Sequence, residues 1–197
     1  MRKGILEMID NICEIIDLHK RLVTEFEKEG PLKIEEISNM LIQSLRQDGI
    51  IYLCGNGGSA ADAQHIAGEL IGKFKKIRKA LPAIALTTDS SVLTCIGNDF
   101  GFDSVFSRQV EAMIKPKDIL WVLSTSGKSK NIINVVKVAK EIGAKVIAFK
   151  GKTGSELERI SDISLNVSSS ATSSVQEIHQ LAYHIISDLV EQRFVKD

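Results

Sequence analysis

The sequence has no excess charge of either sign, no paired-cysteine motif and no long apolar run, and each absence narrows what it does. Lysine plus arginine and aspartate plus glutamate both number 25. A chain balanced in this way carries no electrostatic footprint of a nucleic-acid binder. Its one basic stretch, Lys73-Phe74-Lys75-Lys76-Ile77-Arg78-Lys79, reads as a solvated helix end followed by a loop. Cys13, Cys54 and Cys95 are odd in number and widely spaced, and no Cys-x-x-Cys occurs. This argues against a disulfide framework and for a reducing compartment, with the cytoplasm as the expected location. Cys54 and Cys95 are expected as small core residues rather than nucleophiles. No apolar run approaches the roughly 20 residues that a membrane-spanning helix needs. The opening Met1-Arg2-Lys3-Gly4 leads into a pattern holding Glu7 and Asp10, not into an uninterrupted apolar secretory segment. Neither nucleic acid nor membrane is an expected partner.

What is present is enough chain, 197 residues with 44% hydrophobic content, to bury a core without disulfides or structural metals. Residues 4–28 place Ile5, Ile9, Ile12, Ile15, Ile16, Leu22 and Phe26 near the 3.6-residue period of an amphipathic helix. Glu29-Gly30-Pro31 predicts a break, because Pro cannot continue a helix and Gly ends one well. A second helix is expected from Ile34 to Gln47, before Asp48-Gly49. Residues 1–48 therefore read as a helical extension, and 49–197 as the principal domain, the two forming one structural unit. The first helix is richer in apolar residues than a lone exposed helix should be, so it packs against its own domain or a neighbour. His19 on it reads as a structural or surface residue.

After Gly49 the rhythm changes. Ile50–Cys54, Ala83–Leu86, Ile119–Leu123, Lys145–Phe149 and Ile163–Val167 are short apolar runs separated by helical patterns, the clearest from Asn131 to Ile142. Continuous apolar strands alternating with helices imply a parallel sheet covered on both faces. Five such strands predict a flavodoxin-like α/β fold, a three-layer sandwich. Ligands in these sheets bind beyond the carboxyl ends of the strands, at a switch point.

Two loops at such ends share a composition: Gly55-Asn56-Gly57-Gly58-Ser59 and Ser124-Thr125-Ser126-Gly127-Lys128-Ser129. Glycines let backbone approach an anion, hydroxyls donate to it, and the following helix N-terminus adds N–H groups and a favourable dipole. Neither loop has the spacing of a nucleoside-triphosphate loop or of a dinucleotide fingerprint. Either one alone reads as a turn and N-cap; two at equivalent points of one sheet point to a phosphate. Thr87, Thr88, Ser90 and Ser91 form a third polar loop, either part of the site or another N-cap. Beyond the first loop, His65 and Glu69 share a helix face at i, i+4. On the last helical pattern Gln176 and His184, eight apart, also return to one face, with His179 a competitor for the histidine role. An aldose–ketose isomerase needs a base beside the carbonyl and a partner for the oxygen-bound protons, chemistry that Glu and His supply. A metal would polarise the oxygens. The bland alternative for His65 and Glu69 is a helix-surface pair.

Gly55-Asn56-Gly57-Gly58-Ser59-Ala60-Ala61-Asp62-Ala63-Gln64-His65 resembles the signature of bacterial phosphoheptose isomerases, proteins of the sugar-isomerase (SIS) fold. So do Ile96 to Phe102 with Phe106 to Glu111, the serine-rich loop through Asn131, and Val175 to Gln180 followed by His184. The likeness runs from about residue 10 to residue 193. It implies interconversion of sedoheptulose 7-phosphate and D-glycero-D-manno-heptose 7-phosphate, on a route to nucleotide-activated heptose for lipopolysaccharide, capsule or surface-layer glycans. It implies Glu69 as general base and His184 as acid–base partner. It implies one Zn2+ per subunit held by His65, Glu69, Gln176 and His184. Substrate contacts carry over to Asn56, Gly57, Ser59, Asp99 and Gln176, and phosphate contacts to Ser124, Thr125, Ser126 and Ser129. Lys73 stands where some relatives have arginine, and it lacks the planar fork. The resemblance further implies a homotetramer with active sites at subunit interfaces. Two other readings are a SIS-type regulatory module that binds a replication-initiator protein and an isomerase of another sugar phosphate. Joint presence of His65, Glu69, Gln176 and His184 favours chemistry over regulation.

Overall fold

A computed structural model describes residues 2–195, with side chains from Glu7 onward. Met1, Lys196 and Asp197, at the ends of the two expected regions, lie outside the described residues, as does the side chain of Ile5. The chain opens with one long helix, α1 (Arg2–Arg46), which runs through Pro31 without ending. The break expected at Glu29-Gly30-Pro31 does not occur. The proline gives up one backbone hydrogen bond, but burial on both sides of it, at Leu22 and at Ile34, Ile37 and Leu41, keeps the helix continuous. Gly30 serves packing rather than termination: a Cβ there would meet the Phe26 ring at 2.6 Å.

Five strands follow, β1 (Ile51–Gly55), β2 (Ala83–Ala85), β3 (Ile119–Ser124), β4 (Lys145–Lys150) and β5 (Ile163–Asn166). All pair in parallel, in the order β2-β1-β3-β4-β5. Each falls where an apolar run predicts it. The helices between and after them are α2 (Gly58–Ile71), α3 (Ser90–Phe100), α4 (Ser107–Met113), α5 (Lys130–Ile142), α6 (Glu156–Ile160) and α7 (Thr172–Gln192), with a 3-10 turn at Phe102–Ser104.

Alternation along the strands separates two cores. Ile51, Leu53, Ile119, Trp121, Leu123, Ile147 and Phe149 face α1, α2 and α7. Tyr52, Cys54, Leu120, Val122, Val146 and Ala148 face α3 to α6. The result is the three-layer, flavodoxin-like α/β sandwich of the expected class. Cys54 is buried in it, as expected. Cys95 is not a core residue: it is exposed on α3, and its thiol donates to Asp99 at 3.6 Å.

The expected apolar stripe of α1 divides in two. Leu22 and the residues after Pro31 pack on the domain. Met8, Ile9, Ile12, Ile15 and Ile16 are exposed, Met8 by 65% and Ile15 by 60%. His19, between the two stretches, pairs at the surface with Glu177 at 2.8 Å. Among the described residues no helix is long and apolar enough to cross a membrane.

Candidate active site

Strand order makes the site. The sheet reverses direction of growth between β1 and β3, so the loops after these two strands lie side by side. Together with Thr172 and Gln176 of α7 they line a cleft of about 290 Å³ that includes Asn56, Gly57, Ser59, Ser124, Thr125, Ser126 and Ser129. Gly57, at φ 56°, occupies a conformation that costs a residue with a Cβ. Ser129 takes the N-cap position of α5 but makes no capping hydrogen bond; its hydroxyl lies 3.5 Å from that of Ser124. Gly57 likewise precedes α2 without a side-chain cap. Two helix N-termini thus face one hydroxyl-lined cleft, an arrangement suited to a phosphate.

The loops are tied by a pair that sequence reading passes over. Asn56 and Asn131 exchange reciprocal amide hydrogen bonds of 3.0 and 2.9 Å across 75 positions of sequence. Lys150, at the end of β4, is also unexpected: it is fully buried, bonds to the carbonyl of Lys152 and pairs with Glu158 at 3.2 Å. Burial alone would raise the Glu158 carboxyl, but donors from Gly154, Lys150 and Asn166 bring it below its ordinary value. The third polar loop is held by a cap and by α2. Asp89 caps α3 through the Val92 N–H at 2.9 Å, and Thr87 accepts from Gln64 at 3.2 Å. Its N-cap reading is the one that fits.

Farther along α2, His65 and Glu69 meet His184 of α7, with ligand atoms all within 4.8 Å of one another. His65 Nε2 lies 3.1 Å from Glu69 Oε1, and the His65 and His184 rings meet edge to face at 5.1 Å. Phe74 stacks on the other side of His184 at 5.7 Å. Burial first, then the adjacent His65, hold the His184 imidazole below its ordinary pKa, against the opposing pull of Glu69. It is therefore neutral near pH 7 and able to act as ligand or proton acceptor. His179 does not compete. It is fully buried against Phe149, 3.2 Å from the Lys150 carbonyl, and burial lowers its pKa to about 4. Gln176 lies between loops and cluster, its amide against Gly58, where a Cβ would sit 2.4 Å from Nε2.

Two expected residues stay apart from this group. Asp99 is exposed on α3 and accepts from Asn98 at 2.7 Å. Lys73 is exposed just beyond α2. The basic stretch around it is a loop, as expected, but not simply a solvated one. The Arg78 side chain is 1% exposed, lies 3.3 Å from Glu191 and donates to the carbonyls of Glu69 and Leu70 at 2.8 Å. Glu191 in turn accepts from the N–H groups of Phe74, Lys75 and Lys76. This clasp fixes the end of α2, which carries Glu69, and the Phe74 ring over His184.

A doubly wound parallel sheet with hydroxyl-rich loops at its switch point defines a SIS-domain protein, and the SIS-domain sequence pattern matches residues 16–151. The relatives are more particular. The chain is 44% identical over 186 residues to a phosphoheptose isomerase of Geotalea uraniireducens, covering 94% of this chain and 98% of that one. It is 46% identical to a phosphoheptose isomerase of Sulfurimonas denitrificans, covering 100% and 98%. The solved phosphoheptose isomerase of Neisseria gonorrhoeae superposes with a TM-score of 0.89 at 40% identity, covering 94% of this chain and 99% of that chain. The chain belongs to the phosphoheptose isomerase family.

Proposed function

We propose that this site interconverts sedoheptulose 7-phosphate and D-glycero-D-manno-heptose 7-phosphate through an enediol. The observation that carries the reading is the joint placement on α2 and α7 of a phosphate cleft and, beyond it, an acid–base cluster. His65 is seven residues beyond Gly58 on α2, roughly 10 Å along the axis at about 1.5 Å per residue. An extended seven-carbon chain ending in a phosphate ester spans roughly the same length, given bonds of about 1.5 Å. With its phosphate on Ser124, Thr125, Ser126 and Ser129, the substrate brings C1 and C2 to Glu69 and His184. Asn56, Gly57 and Ser59 line its path, and Gln176 reaches it midway.

In the ketose-to-aldose direction Glu69 takes a proton from C1 and the C1–C2 enediol forms. His184 moves the proton between O1 and O2. Glu69 then returns its proton to C2, leaving the aldehyde at C1. The Glu69 oxygen not facing His65 is the one free for this work. Two imidazoles and a carboxylate within 4.8 Å also suit zinc, whose bonds of about 2.0–2.2 Å ask for only a small closing of the side chains. His65, Glu69 and His184 would hold one Zn2+ per subunit; Gln176, expected as the fourth ligand, has its amide against Gly58 toward the phosphate end. Bound there, it supplies a Lewis acid for the carbonyl oxygen. The regulatory alternative has no use for this cluster.

We further propose a homotetramer. The helical extension, residues 1–48, is its assembly arm, and residues 49–197 carry the chemistry. The exposed stripe from Met8 to Ile16, and Phe100 and Phe102 beside Asp99 at 55% and 63% exposure, are surfaces for neighbouring subunits to cover. Asp99 then serves a site at an interface. Three thiols without a disulfide suit a cytoplasmic reaction, one that feeds nucleotide-activated heptose into surface glycans.

The decisive experiment follows sedoheptulose 7-phosphate by NMR with wild-type protein and Glu69→Gln. Aldose product from the wild type and none from a folded Glu69→Gln variant is the expected result. Near-normal turnover by the variant removes Glu69 as the base, and no product from the wild type removes the reading.

A further inference from the structure

The mechanism above leaves a buried tyrosine and a half-buried carboxylate unused. Tyr183 is 0% exposed, yet its hydroxyl lies 3.0 Å from His65 Nδ1 and 3.4 Å from Asp62 Oδ1. Its ring meets His65 and His184 edge to face at 5.4 and 4.8 Å. The second Asp62 oxygen, Oδ2, is buried and has no hydrogen-bond partner among the described residues.

A phenol has one proton to give, and here two groups to receive it. If the hydroxyl donates to Nδ1 of His65, the neutral ring carries its proton on Nε2, which then donates to Glu69 Oε1 at 3.1 Å. That arrangement closes Nε2 to any cation. If the hydroxyl donates to Asp62, its oxygen accepts from Nδ1–H, and Nε2 presents a bare lone pair to Glu69 and His184. An ionised carboxylate only accepts, and a charge-assisted bond is roughly twice as strong as a neutral one. Oδ1 of an ionised Asp62, 3.4 Å from the hydroxyl, therefore draws the phenol proton toward itself. The other ring nitrogen of a metal-binding histidine is commonly fixed by such an outer partner.

We propose that Tyr183 is a positioning residue: with Asp62 behind it, its hydroxyl selects the His65 tautomer that leaves Nε2 free to bind a divalent cation. This rests on the metal reading above. It assigns the Asp62–Tyr183 pair to metal affinity rather than to contact with the sugar. Tyr183→Phe keeps the ring that walls both imidazoles and removes only the hydroxyl. Asp62→Ala keeps the hydroxyl and removes the acceptor that orients it, at a helical position alanine favours.

The test is zinc affinity of chelator-stripped full-length protein, read by competition with a chromophoric chelator, alongside the melting temperature of each stripped variant. Both substitutions should weaken zinc binding by about 10- to 100-fold, while the stripped protein still unfolds cooperatively with a melting temperature only a few degrees lower. The double variant should bind no more weakly than Tyr183→Phe alone, because Asp62 acts through the tyrosine. Imidazole 15N spectra of the zinc-loaded wild type should place the remaining His65 proton on Nδ1. Tyr183→Phe that binds zinc within about twofold of the wild type, or a His65 ring ligated through Nδ1, overturns the inference and leaves the metal reading standing. A wild type that takes up no zinc overturns both. Should Tyr183→Phe fail to fold, Asp62→Ala decides on the same criterion.

Discussion

Single residues divide the labour of this site in ways that can be measured separately. In the proposed reaction the serine-rich loop holds phosphate in ground and transition states alike, so Ser124→Ala and Ser126→Ala should raise KM with little change in kcat. Steady-state kinetics check this, and an unchanged KM in both variants counts against the loop. His179 makes a different prediction. Its folded-state pKa of about 4 lies below the ordinary value near 6.5, so the unfolded chain binds the extra proton more readily. Stability is therefore lost as pH falls from about 6.5 toward 4. Between pH 7 and pH 5 this residue should cost about 2 kcal/mol. Urea titrations at the two pH values check it, with His179→Gln showing a correspondingly smaller loss. Sequence spacing brings His65, Glu69 and His184 to common helix faces, and the structure brings them together. Spacing alone leaves His179 and His184 level, because only the strand behind α7 makes one histidine core and the other cleft. Cys95 reads as core for a similar reason: nothing local marks which face of α3 meets solvent.

Among the elements, the strands are the most legible. Buried on both faces, each is a continuous apolar run, and each run became a strand within a residue or two. The continuity of α1 through Pro31 is not legible, since a proline's local penalty is outweighed here by packing that involves α7, far along the chain. The same distance hides Asn56 with Asn131, Tyr183 with Asp62 and Arg78 with Glu191. The last of these pairs closes the loop between α2 and β2 onto α7. Glu191→Gln keeps the shape but leaves the Arg78 guanidinium, 1% exposed, without its counter-charge. Breaking a buried pair this way costs about 3–5 kcal/mol. Guanidinium unfolding curves should show a loss of that order, and activity should fall with it as Phe74 and the end of α2 loosen. A loss below about 1 kcal/mol, the scale of a surface pair, rules out the clasp as a keystone.

At the scale of the whole molecule, the exposed stripe of α1 is the surface that the proposed tetramer would cover. Ile12→Glu with Ile16→Glu places charge where the proposed assembly buries apolar surface, so light scattering after size exclusion should find smaller species than for the wild type. A wild type that elutes as a monomer removes the proposed tetramer, and a double variant that keeps the wild-type mass moves the interface elsewhere. The order in which the chain is made matters too. All five strands and both loops precede residue 172, while Gln176, Tyr183, His184 and Glu191 come from α7, the last helix. That helix packs on α1, the first, and on α2. A nascent chain still lacking α7 therefore holds a sheet and the two phosphate loops but no acid–base cluster, and it lacks the helix on which α1 chiefly packs. Catalytic competence arrives in one step, when α7 is made and meets α1 and α2.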